Sequence, residues 1–401
     1  MISGHGYGQA KIFFINDSAT KADAVCGKAM STSVERMMGS LCSGVGILFD
    51  QTYKTLLIKD HLPGFGYGKK KDAAILAEAH AAILPFTYEN ILLDEIRSVA
   101  PNVIVPMGKL ALEYLTGETK FDKFRGSILL TREDLDLPRR FKVIPTFSAL
   151  DIFENFTRQC FVQVDLARRV KPHSEYADLP KDNSILWICK LASDLNTYFN
   201  RNQDKKWCTL DIETFSGIPT CISFCFDGRE AVSVALTDPT VSMADRVLLF
   251  HRVAKFLASP IGKVGQNVKY DWTILERFGL RVSNIIGDTM LAAHTIYPEL
   301  PKGLDFLTSI YTEIPYYKDE GKESVAFPPD KKYFFYNAKD SLATYQVYEA
   351  QKKELLELGL DNLYLKRVMP LFFMYKKIEG RGIRVDDEKR QSKINKYEAV
   401  L

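Results

Sequence analysis

The chain has 401 residues, a net charge of +3, 46% hydrophobic and 26% charged residues. This is the composition of an ordinary globular protein of two or three domains. It excludes recognition of nucleic acid by bulk charge, so any such surface must be a local basic patch. The seven cysteines are scattered and none is spaced C-x-x-C. They predict core thiols in a reducing compartment and no zinc or iron–sulfur centre. No apolar run is long enough to span a bilayer, so no membrane partner and a cytoplasmic location are expected.

In chain order, residues 11–15, 45–49 and 55–58 read as strands, with a polar turn at residues 16–20. Residues 73–84 and 92–99 have helical spacing. A short apolar strand at 102–105 leads through Gly108 into a helix at 109–115. Residues 141–146 read as a strand and 156–170 as a closing helix. Strands alternating with helices predict a parallel α/β sheet for residues 1–178.

Within that region, residues 101–111, Phe124-Arg-Gly126, residues 143–147 and Asp165-Leu166 resemble, in this order, the iron–sulfur branch of the uracil-DNA glycosylase family. The resemblance implies an α/β sandwich. The chain departs from the family where chemistry is done. The loop Asn16-Asp-Ser-Ala-Thr20 replaces a Gly-Glu-Ala-Pro-Gly type, Phe147-Ser-Ala149 replaces His-Pro-Ser, and the cluster cysteines are missing. Cleaving a glycosidic bond needs a shaped pocket and charge stabilisation of the departing base. The expectation is a degenerate glycosylase-like domain kept for structure or for contacting DNA. Lys69-Lys70-Lys71 and Arg139-Arg140 are either phosphate contacts or solvated loop charges. Asp17 reads as an exposed turn residue.

Residues 172–183 carry turn residues and no apolar period, as a linker does. Then come a strand at 187–190, a helix at 194–200 and the strand 207–214, Trp-Cys-Thr-Leu-Asp-Ile-Glu-Thr. Residues two apart on a strand share a side, so Asp211 and Glu213 face one way. Two adjacent acids at the end of an apolar strand are tolerated when a hard cation such as magnesium or manganese sits between them. Alternation around Asp227-Gly228 predicts a hairpin of residues 220–226 with 231–236. A helix at 243–257 and a strand at 262–265 follow. Asn267 opens the next helix, where Asn267 and Asp271 are four apart and share a face. Helices are expected at 288–296 and 302–308, then a mobile surface loop at 311–329. Tyr336 and Asp340, again four apart, lie on a helix that runs on through Val347.

Asp-x-Glu, Asn-x-x-x-Asp and Tyr-x-x-x-Asp in this order resemble the three exonuclease motifs of the DEDD superfamily, tyrosine branch, over residues 185–350. That branch includes the proofreading domains of family A DNA polymerases and the ribonuclease D group. The resemblance implies a ribonuclease H-like mixed sheet and two Mg2+ or Mn2+ ions. It implies that Asp211, Glu213 and Asp340 hold the first ion, that Asp211 bridges to a second, and that Asp271 acts mostly through that ion's waters. Tyr336 would orient the attacking water, since a tyrosine of ordinary pKa is a poor base at neutral pH. Thr214 and Asn267 are candidate supporting contacts. Tyr270, Phe215 and Ile218 are candidates either for stacking on terminal bases or for core packing.

Residues 354–379 read as a long helix ending at Gly380-Arg-Gly-Ile-Arg-Val-Asp386. This resembles the junction between exonuclease and polymerising body in family A polymerases, and residues 351–401 are expected to be a helical extension toward such a body. The expected arrangement is therefore a glycosylase-like domain (1–178), an exonuclease domain (179–350) and that extension. A bacteriophage polymerase is a plausible source. The expected substrate is single-stranded DNA or a primer 3' end, and the expected partners are a polymerase body on the same or a separate chain and other replication proteins. The alternatives are a free-standing ribonuclease D-like RNA exonuclease and a non-catalytic DNA-binding module.

Overall fold

A computed structural model describes residues 1–61, 87–179, 181–323 and 329–398. The helix expected at 73–84 and the Lys69–Lys71 run lie outside the described residues. Among the described residues the fold is mixed α/β and is built on two six-stranded sheets.

The first sheet holds β1 (His5–Gly6), β2 (Ile12–Ser18), β3 (Tyr53–Ile58), β4 (Val103–Met107), β5 (Leu129–Leu130) and β6 (Lys142–Val143), in the order β1-β3-β2-β4-β6-β5. Its centre is parallel, as the alternation of elements predicts, and both edge strands pair antiparallel. Side chains along β2 alternate between two cores. Ile12 and Phe14 face the Thr32–Gly44 helix; Phe13 and Ile15 face the Thr87–Val99 helix. A strand buried on both faces reads as one continuous apolar run.

Three local expectations are corrected. Residues 45–49 are not a strand. They leave the Thr32–Gly44 helix and enter a 3-10 turn at Phe49–Gln51, and Ile47 and Phe49 are buried by packing under the sheet rather than by a ladder. The polar stretch after residue 15 is not a turn until Ser18, because Asn16 and Asp17 continue β2 and are buried. Asp17 is not an exposed turn residue: its Oδ1 accepts the Ala111 amide at 2.8 Å. Arg139 and Arg140 donate to the carbonyls of Pro101, Ala177 and Thr131, which ties them to their own unit.

The second sheet holds β7 (Ile185–Cys189), β8 (Trp207–Phe215), β9 (Ile218–Cys225), β10 (Glu230–Ala235), β11 (Gly262–Gly265) and β12 (Ile285–Asp288), in the order β12-β11-β8-β9-β10-β7. β8, β9 and β10 are antiparallel, as the hairpin signal predicts. The two faces differ in residue size. Leu210, Ile212, Ile222, Phe224, Val232 and Val234 fill the large core together with the Met243–Leu257 helix. The opposite face presents Thr209, Asp211, Cys221, Ser223, Cys225, Ala231, Ser233 and Ala235. These small residues let the Lys331–Glu357 helix lie close. Their hydroxyls fix it there: Thr209 Oγ1 donates to the Ser341 carbonyl at 2.7 Å and Ser223 Oγ to the Asn337 carbonyl at 2.8 Å.

The Lys331–Glu357 helix runs through residue 350 and stops at Gly359, whose φ of 67° suits a residue without a Cβ. The single long helix expected at 354–379 is therefore broken, and a π turn at Tyr364–Val368 leads into the Met369–Arg381 helix. Tyr364, Met369 and Phe372 join the core of the second sheet. Among the described residues no helix is long and apolar enough to cross a membrane, and all seven cysteines are free.

The two sheets meet across a buried polar and aromatic seam. The Arg125 guanidinium pairs with Asp165, donates to Ser309 Oγ at 3.0 Å, and lies over the rings of Phe161 and Phe306. Arg168 pairs with Glu354, whose carboxylate also accepts from the hydroxyls of Tyr297 and Tyr311 at 2.6 Å each. Removing one partner of a buried pair leaves an uncompensated charge, which costs about 3–5 kcal/mol. Arg125→Ala is therefore expected to lower stability by about that much at neutral pH, read as a lower urea midpoint; a midpoint within error of the parent would show that the seam does not depend on this pair.

Candidate active site

The acidic cluster forms where the end of β8 meets the first turns of the Lys331–Glu357 helix. Carboxylate oxygens of Asp211, Glu213 and Asp340 all lie within 4.8 Å of one another. Strand parity brings Asp211 and Glu213 to one side. The close approach of the helix over the small-residue face brings in Asp340, itself buried. Asn337 locks the two elements in register. Its Nδ2 donates to Asp211 Oδ2 at 2.8 Å, and its Oδ1 accepts from Ser233 Oγ at 2.8 Å.

Asp271 stands behind this group. It lies in the first turn of the Val268–Arg277 helix, and its Oδ1 accepts the Ile212 amide, between the two acids of β8, at 2.9 Å. That helix is not capped by Asn267, which has a left-handed φ of 54° and no capping side-chain bond. Asp288 at the end of β12 does the work instead. It accepts the amides of Asn267 and Val268 on one side and of Met290 and Leu291 on the other, so one carboxylate starts two helices.

Burial dominates the electrostatics. It drives the Asp211 carboxyl well above the usual range, and the neighbouring Asp340 and Glu213 charges push the same way. Glu213 is pushed up to about 8 by burial and then by Asp340. Asp271 is raised well above its ordinary value by burial and Asp211. Even with four amide donors, burial takes Asp288 up to about 6. Buried carboxylates that raise one another's pKa form an all-oxygen donor set suited to a hard divalent cation.

Tyr336 projects beside Asp340, and its hydroxyl accepts a 3.1 Å hydrogen bond from Lys318 Nζ. Burial, then Asp340, raises its pKa, so it is a hydrogen-bonding group and not a base. A Cβ added to Gly321 would come within 2.7 Å of the Tyr336 ring, so the glycine lets the backbone lie against the tyrosine.

The stretch expected to be a mobile surface loop is corrected here over residues 311–323; residues 324–328 lie outside the described residues. Residues 318–323 form a short helix, and Tyr317 is buried, with its hydroxyl donating to Asp340 Oδ1 at 2.6 Å. Lys318 Nζ binds both Asp340 oxygens, at 2.7 and 2.6 Å. Sequence reading missed Asn337, Asp288, Tyr317 and Lys318. Of these only Asn337 carried a signal, by its place between Tyr336 and Asp340.

The other candidate contacts gather at the mouth. Thr214 Oγ1 lies 3.1 Å from the Tyr270 hydroxyl. Phe215, Ile218 and Tyr270 are exposed by 38%, 52% and 49%, which removes them from core packing.

Residues 188–356 match the 3'-5' exonuclease family. DNA polymerase I of Rhizobium leguminosarum is 33% identical over 133 residues, 31% of this chain and 13% of that protein. DNA polymerase I of Borreliella burgdorferi is 23% identical over 364 residues, 82% of this chain and 38% of that protein. The chain thus spans well under half the length of these relatives. Among solved structures, the POL domain of Pol1 from M. smegmatis covers 50% of this chain and 33% of its own at 16% identity and a TM-score of 0.41. The catalytic core of RRP6 from Trypanosoma brucei covers 47% and 54% at 17% identity and a TM-score of 0.37.

A carboxyl with a raised folded-state pKa holds its proton longer in the native state than in the unfolded chain. Its contribution to stability is complete below the unfolded pKa and is lost as pH rises through the folded value. The metal-free protein is therefore expected to lose Tm as pH rises from about 4.5 to about 8, the ordinary and the folded values of Glu213, and to level off above that. Glu213→Gln should flatten that fall, and Mn2+ should raise Tm more at pH 8 than at pH 6, because it binds the native state alone. A flat Tm profile in EDTA would contradict this. Fold, acidic cluster and family match together liken residues 188–356 to the 3'-5' exonuclease domain of DNA polymerase I-like proteins.

Proposed function

We propose that the chain removes nucleotides from the 3' end of single-stranded or frayed DNA, as the proofreading part of a family A DNA polymerase whose polymerising body lies outside these residues. The observation that carries this reading is the convergence of Asp211, Glu213 and Asp340 within 4.8 Å. Asp211, Glu213 and Asp340 would hold divalent Mg2+ or Mn2+, with Asp271 supporting them from behind through the Ile212 amide. Bound divalent ions supply an acidified water and neutralise charge on the phosphate and the leaving oxygen.

The protein's own groups do the rest. Asn337 fixes the Asp211 carboxylate in one orientation. The Tyr336 hydroxyl orients the attacking water as a hydrogen-bond partner. Phe215, Ile218 and Tyr270 form an exposed apolar rim at the end of β8, suited to bases that have left a duplex, because aromatic faces stack on any base. The first unit is read as a degenerate glycosylase-like module. It has a cavity of about 450 Å³ whose wall mixes Lys109, Lys120, Lys123 and Arg158 with Asp17, Asp122 and Asp151.

The test is a 5'-labelled single-stranded DNA incubated with Mg2+ and then with EDTA, with product lengths resolved. A ladder shortening from the 3' end, abolished by EDTA, is expected. Asp211→Ala and Asp340→Ala should reduce the rate by at least about 1,000-fold while the fold is retained, and Tyr336→Phe by about 10- to 100-fold with DNA binding intact. Parent-like rates in either alanine variant would refute the metal assignment. A matched RNA oligonucleotide degraded faster than the DNA would move the protein to the ribonuclease D type.

A further inference from the structure

Lys318 stands at the acidic cluster itself. It is carried by the short Lys318–Glu323 helix, and its ammonium lies across both oxygens of Asp340 while touching the Tyr336 hydroxyl. It is mostly enclosed, with 20% of its side chain exposed against 5% for Asp340. Its place is set from three directions. The next residue, Asp319, binds Lys120 Nζ at 2.7 Å and Lys123 Nζ at 2.6 Å, both from the first unit. Glu320 pairs with Lys339 at 2.8 Å. Gly321 lies against the Tyr336 ring. The first unit and the nuclease helix together hold a lysine in the cation position of the acidic cluster.

A lysine ammonium is a compact point charge on a flexible stem. Seated on both Asp340 oxygens, it competes with a divalent ion for the same carboxylate, and two cations sharing that carboxylate repel. The anion that can take it away is a phosphodiester arriving at the site. We propose that Lys318 is a further working residue of the exonuclease site, a resident cation that covers Asp340 until the 3'-terminal phosphate of the substrate draws it off, so that DNA and divalent metal load cooperatively. The proposal rests on the exonuclease reading above. The coupling is reciprocal, because whatever DNA does to metal affinity, metal must do to DNA affinity. Asp319 is a positioning residue that acts through Lys318.

The test uses the full chain and Mn2+ titrated calorimetrically, with and without a single-stranded oligonucleotide whose 3'-terminal linkage is a phosphorothioate, which keeps its charge and resists hydrolysis. In the parent protein the oligonucleotide should tighten Mn2+ binding roughly tenfold. Lys318→Met should bind Mn2+ roughly tenfold more tightly than the parent without DNA, and the oligonucleotide should then add less than about twofold. Asp319→Asn leaves the cluster intact and gives a second variant; it should shift Mn2+ affinity in the same direction by a smaller factor, and should add nothing in the Lys318→Met background. Unchanged or weaker Mn2+ binding in Lys318→Met, with the effect of DNA intact, overturns the proposal. Asp340→Asn separates the two readings. If it loses Mn2+ while Lys318→Met changes nothing, only the role of Lys318 falls. If it binds Mn2+ as the parent does, the metal-dependent exonuclease reading falls as well.

Discussion

Three carboxylates crowd into one partly dry pocket at the end of the interior strand β8, and the rest of the nuclease unit is arranged to hold them there against their own repulsion. Folding alone would not gather them, because burial and mutual charge both oppose ionisation. Packing elsewhere supplies the force. Large apolar residues on one face of β8, β9 and β10 build the core, and small ones on the other face let the Lys331–Glu357 helix come close enough to deliver Asp340. The acids are thus a by-product of size patterning on a sheet, and their strain is relieved only by positive charge.

The same helix joins the site to the rest of the molecule. Tyr336 and Asp340 sit near its beginning, and Glu354 near its end takes Arg168 from the first unit. Twenty-seven residues of α-helix span about 40 Å. The first unit reaches the nuclease through Arg168 at Glu354, near the end of the long helix, and through Lys120 and Lys123 at Asp319, beside the acidic cluster, as well as through Arg125 and Phe161 at the seam.

Much of this was legible in the sequence where a local rule applied. The strand period predicts that Asp211 and Glu213 share a side. A four-residue spacing pairs Tyr336 with Asp340, and Asp227-Gly228 marks the hairpin. Reading failed where the cause was a contact between distant segments. Asp288 reads as the start of the helix at 288–296, and its second role, capping the Val268–Arg277 helix, depends on β11 and β12 being neighbours. Residues 45–49 have strand composition but are buried by a helix and a turn. Residues 311–323 have loop composition, with Tyr, Pro and charge, yet Tyr317 and Lys318 are drawn inward by Asp340. No period or motif within that stretch announces a partner that lies 22 residues on.

The seam between the units also bears on where this chain can be divided. A cut in the extended segment after Ser174 looks harmless, since it severs no strand. It would nevertheless strip Arg168 from Glu354, Arg125 from Ser309 and Phe161 from Phe306, whose rings now stand edge to face at 5.6 Å. The freed nuclease would carry a carboxylate with no counter-charge and a bare aromatic patch. Such a piece would be prone to self-association, so the covalent boundary between the halves is not a boundary of solubility.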